Sequence, residues 1–116
     1  METTESILTS IKKLLGIEAD YTHFDADLII HINSVFSILA QIGVGPADGF
    51  SITGAKEVWS DFIKDDPKLF SLVKSYMYLK VKPIFDPPLG STVMDSIDRQ
   101  IKEFEFRLFV AADPKR

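Results

Sequence analysis

The longest uncharged run in the chain is Leu28 to Ala47, and its apolar positions recur with helical spacing. At ~100° per residue, Leu28, Ile29, Ile32, Val35, Phe36, Leu39 and Ile42 fall on one face about 120° wide. The opposite face carries His31, Asn33, Ser34, Ser37 and Gln41, all polar and none formally charged, with Ile30 and Ile38 interrupting it. A helix that only covered a core would turn a charged back to water. The pattern therefore predicts a helix from Asp27 to Gly43 that is covered, at least in part, on both sides. The candidate covers are a partner chain and the loop over 44–54.

The same periodicity predicts the other elements. Ile7, Leu8, Ile11, Leu14 and Leu15 predict a first helix over 4–15, capped by Thr3 or Thr4 and stopped by Gly16, with Lys12 and Lys13 at the cation-favouring end of its dipole. Residues 17–24 form a polar connector anchored by Tyr21 and Phe24. Thr22 and Asp25 have the spacing of a capping box for the uncharged helix. Residues 43–54 hold four of the six glycines and form a long loop. Such a loop is either functional or a surface connection pinned by Phe50 and Ile52. A short helix over 55–64 turns Val58, Trp59, Phe62 and Ile63 inward. Asp65-Asp66-Pro67 then starts a third main helix, with Asp66 as N-cap. Pro83 kinks or ends that helix near Lys82, and residues 84–88 read as a rigid extended corner. Thr92 and Asp95 cap a last helix running to Ala112. Its core stripe is Val93, Met94, Ile97, Ile101, Phe104, Leu108 and Ala111, and Asp113-Pro114 ends it before a basic tail. The expected fold is all-α: a bundle of four main helices plus one short helix, in a single domain over 1–116.

Composition narrows the function more by exclusion than by motif. There is no cysteine, so disulfides, thiolate metal sites and a cysteine nucleophile are all excluded. The net charge is −4. Residues 1–58 hold eight acids and three bases, and residues 59–116 hold nine acids and ten bases. This is not the basic footprint of a protein that grips phosphates. The candidate recognition helix opens with Asp95 and Asp98, and the lysines at 64, 68, 74, 80 and 82 are spread around their helices. The N-terminus lacks the charge pattern of a secretory signal. The run 28–47 is long enough to span a membrane, but its polar face and the break at Gly43, Gly45 and Pro46 point to a soluble intracellular protein without a membrane partner. Asp25 and Asp27 beside His23 fit helix caps better than a metal site, and His31 fits an interface histidine. No phosphate loop, HExxH or GxSxG pattern occurs, so no enzyme activity and no cofactor are expected.

What remains is apolar surplus. Ile30 and Ile38 interrupt one polar face, and Phe106, Phe109 and Val110 lie off the stripe of the last helix. Either the short helix and the Phe50 loop cover them within one chain, or they meet other chains. On the second reading the candidate interface residues are Ile30, His31, Ile38, Gln41, Phe106, Phe109 and Val110. A small helical DNA-binding module for packaging or regulation stands as the alternative function.

The ordered pieces also carry a resemblance. A short helix ending Leu14-Leu15-Gly16 precedes FDADLIIHINSVFSILAQIGVG, then VWSDFI, LVKSYMYLKVKPIFDPP and IKEFEFRL. Over about residues 5–110 this resembles the head–tail connector (adaptor) proteins of long-tailed double-stranded DNA phages. The resemblance implies a virion structural subunit, assembled in the host cytoplasm, with neither enzyme activity nor cofactor. It implies a homo-oligomeric ring, commonly a dodecamer, beneath the portal protein. That ring extends the channel through which genomic DNA passes without specific binding, and it docks the next head-completion or tail protein.

Overall fold

Trp59 and the residues around it knit the N-terminal part together. The computed structural model describes residues 4–64 and 66–112, so Thr3, Asp65 and the segment from Asp113 on lie outside the described residues. Its helices are α1 (Ile7–Leu14), α2 (Asp25–Ile42), α3 (Trp59–Phe62), α4 (Pro67–Phe85) and α5 (Ser91–Ala112). The fold is all-α, and the described residues hold one isolated antiparallel bridge, Ser6 with Val58. That bridge displaces the predicted start of the first helix. The Ile7 amide donates to the Glu57 carbonyl and the Trp59 amide to the Glu5 carbonyl, so the α-helix does not begin until Ile7. The cap is therefore Ser6, whose hydroxyl accepts the Thr9 amide, rather than Thr3 or Thr4. The same pairing shortens the predicted 55–64 helix to α3. Trp59 is fully buried and donates its indole N–H to Ser10 Oγ at 2.7 Å.

Two further expectations are corrected. Thr22 does not cap α2. Phe24, whose side chain has no acceptor to offer, occupies the N-cap position, and its ring packs edge-on to Phe85 at 4.8 Å. Asp25 instead pairs at 2.9 Å with Lys12, whose side chain is buried and also donates to the Ala19 carbonyl. Lys12 thus ties α1 to α2 rather than merely suiting a helix dipole. Nor does Pro83 end α4. Only two helical residues follow it, the Asp86 amide closes on the Lys82 carbonyl at 2.8 Å, and Phe85 is held by Phe24. Ile84 and Phe85 are therefore helical, not part of an extended corner.

The Phe24–Phe85 contact sets the directions. The start of α2 meets the end of α4, so these helices are antiparallel. The turn over 86–90 sends α5 back along α4. The far ends of α2 and α5 then meet, where a Cβ on Gly43 would stand 3.5 Å from that of Ala112. Leu28, Ile32, Val35, Phe36 and Leu39 of α2 pack with Phe70, Val73, Tyr76, Met77 and Val81 of α4 in one core, together with α1 and α3. By length and composition α2 could cross a membrane, yet these five side chains form the centre of that core.

The predicted stripe of α5 is only partly right. Leu108 alone is buried, with Ile101, Phe104 and Ala112 packed against the core from its edge. Val93 and Ala111 are exposed, and Met94 and Ile97 reach no core residue. The first turns of α5 lie beyond the buried core, beside the C-terminal part of α4 and the turn that follows it, so the N-terminal half of the stripe is left partly open.

Candidate subunit interface

Burial of one side of α2 fixes what its other side presents. Asp27, Ile30, Ser34, Ser37 and Gln41 point away from the core, and all five are exposed. Ile30 is 61% exposed, a large apolar side chain in water. The loop after α2 covers only one flank of this face. Asn33 receives the Ile52 amide at 2.8 Å and returns a bond to the Ile52 carbonyl at 3.0 Å. Phe50 packs on Phe36 and Phe62, at 5.0 and 5.3 Å between ring centres. On the other flank His31 and Ile38 are half-buried, Ile38 against the core. Ile30 and Gln41 are thus the outward members of the α2 set.

On α5 the burial of Leu108 turns Phe106 and Phe109 outward, at 67% and 60% exposure, while Val110 is half-buried. This patch and the α2 face sit on separate elements, whose C-terminal ends meet at Gly43 and Ala112. The C-terminal half of α5 is anchored by the fully buried Tyr76, whose hydroxyl donates to Glu105 Oε2 at 2.7 Å. Burial, reinforced by that carboxylate, pushes the Tyr76 phenol above its usual range.

Two surfaces escaped the sequence reading. The first is the turn between α4 and α5, where Leu89 is fully exposed and Ile84 and Val93 more than half so. Beside it, Tyr78, Leu79, Pro83 and Ile97 line an apolar depression of about 400 Å³. A leucine between Pro-Pro and Gly was the available signal, because a tight corner offers it nowhere to hide. The second is the outer face of α4, where Lys68, Ser71 and Ser75 are exposed and Tyr78 and Lys82 half-exposed. A shallow depression of about 490 Å³ opens here between Leu14, Ser75, Leu79 and Phe104. In the sequence its lysines read as spread around the helix, and only the packing shows which of them share the outward stripe. No group of three or more metal-ligating side chains occurs among the described residues.

The chain is a small all-α protein that buries one core and leaves large apolar side chains exposed on α2, α5 and the turn between α4 and α5. The chain belongs to the phage connector protein family, which matches residues 7–115. No curated protein and no solved structure matches it. It is a structural head–tail connector, a component of the virion that interacts with other phage head and tail proteins.

Proposed function

We propose that the chain is a single-domain, ring-forming adaptor subunit that docks beneath the portal, commonly as twelve copies. The ring extends the DNA channel and receives the next head-completion or tail protein. The observation that carries this reading is the exposure of Ile30 on α2 and of Phe106 and Phe109 on α5, on separate elements of one chain. A closed ring needs heterologous contacts, in which two different patches of each subunit meet, and stacking on a portal needs a further patch. Gln41 with His31 and Ile38 extends the α2 patch, and Val110 the α5 patch. A net charge of −4 suits a channel that lets DNA slide rather than holding it. Assembly takes place in the host cytoplasm, with no membrane step, no cofactor and no catalysis.

Analytical ultracentrifugation with and without portal protein tests this. The wild-type chain sediments as a ring once the portal is present. Ile30→Asp and Phe106→Asp each reduce that species while leaving the melting temperature of the free chain nearly unchanged. A chain that stays monomeric at high concentration with portal present would refute the ring. A variant that unfolds instead would assign its residue to the core.

A further inference from the structure

The outer stripe of α2 runs Asp27, Ile30, Ser34, Ser37, Gln41, and the outer stripe of α4 runs Lys68, Ser71, Ser75, Tyr78, Lys82. Both alternate steps of three and four residues, the spacing of a seam between packed helices. Both span ~21 Å at 1.5 Å per residue. Since α2 and α4 bury their opposite sides in one core, the two stripes look out from opposite sides of the molecule. Their charges are complementary. α2 carries Asp25 and Asp27 and no Lys or Arg; α4 carries Lys68, Lys74, Lys80 and Lys82 and no acid. Asp25 is engaged inward by Lys12, so Asp27 is the outward acid, and Lys68 and Lys82 end the α4 stripe. Serines at the centre of both stripes let two helix axes approach closely.

Resting on the ring reading above, we infer that the contact between neighbouring subunits joins the outer face of α2 on one copy to the outer face of α4 on the next. The register follows from direction. A step around a ring of many subunits turns a helix only slightly, so α2 and α4, antiparallel within a subunit, stay antiparallel across the contact. Asp27 then faces Lys82, Ile30 faces Tyr78 beside the depression lined by Leu79 and Phe104, Ser34 faces Ser75, and Gln41 faces Lys68. Lys82 already bonds Asp86 at 2.9 Å, and Asp27 adds a second carboxylate to it across the contact. Phe106, Phe109 and the Leu89 turn are left for the portal and the following protein.

The cysteine-free sequence permits a direct test. Full-length Ser34→Cys and Ser75→Cys chains, each checked for wild-type thermal melting, are mixed, assembled with portal protein and mildly oxidised. The expected product is a covalent dimer whose linked peptides, by mass spectrometry, join position 34 to position 75. The double variant yields a ladder of higher multimers. Asp27→Lys and Lys82→Asp each abolish the ladder, and their combination restores it. Rings that sediment normally without the 34–75 linkage would overturn this contact while leaving the ring reading standing. No oligomer at all with portal present would overturn both. Salt-sensitive binding of duplex DNA that Lys82→Asp abolishes would reassign the α4 face to nucleic acid.

Discussion

Single side chains decide how the loop after α2 is held. Gly45 has φ +98°, and a Cβ there would fall 2.3 Å from Phe62 Cε1. The ring cannot yield easily, because Phe36 and Phe50 enclose it at 4.7 and 5.3 Å. Gly45→Ala therefore combines a left-handed conformation, costing about 1–3 kcal/mol, with displacement of a packed ring. Chemical denaturation of the variant is expected to show a loss at or above the upper end of that range. Tyr76 gives a pH signature. Its phenol is raised in the folded chain, so the neutral form favours folding. That stability is complete below the ordinary tyrosine pKa of about 10 and is lost as pH rises from there towards the raised folded value. Melting temperatures measured from pH 8 upward should fall less steeply for Tyr76→Phe than for wild type. At pH 7 the variant should be less stable by about 1.5–3 kcal/mol, the contribution of a hydrogen bond to a charged group.

Among the elements, α2 and α5 contrast in how they are held. Leu39 and Leu108 are both fully buried, and either truncation to alanine should cost about 2–5 kcal/mol by urea titration. Leu39 has buried neighbours on its own helix, whereas Leu108 is the one buried residue of α5. Leu108→Ala is accordingly expected to loosen α5 before the remaining core, separating its near- and far-ultraviolet melting transitions. The helices were readable because 3.6-residue periodicity acts within one segment. Their ends were less so. The start of α1 is set by pairing with residues 57–59, the start of α2 by Phe24 reaching Phe85, and the end of α4 by that same ring. Such partners lie far away in sequence, and local capping patterns at Thr4, Thr22 and Pro83 do not contain them. For α5, periodicity showed which residues share a face but not how much protein lies beneath it.

At the scale of the whole molecule, two unlike outer faces are joined through one core, an α2 face whose one outward charge is Asp27 and a cationic α4 face. The α2 half was visible in the sequence because the absence of charge over 28–47 is unusual. The α4 half was not, because lysines spread along a helix look like ordinary solvation until packing shows which of them share the outward stripe. The exposure of Phe106 and Phe109 followed from the heptad geometry of α5. That of Leu89 required the turn itself to be seen.

The thin support beneath the first turns of α5 has a consequence for amide exchange. No residue of 91–100 belongs to the buried core, so opening this segment breaks few apolar contacts and leaves the core intact. In deuterium-exchange mass spectrometry of the free subunit, peptides from 91–100 should label well before those from 101–112, and those before α2. If portal or tail partners grip the Leu89 turn, the same peptides should become the most strongly protected on assembly, so that the least stable part of the lone subunit reports its incorporation into the particle.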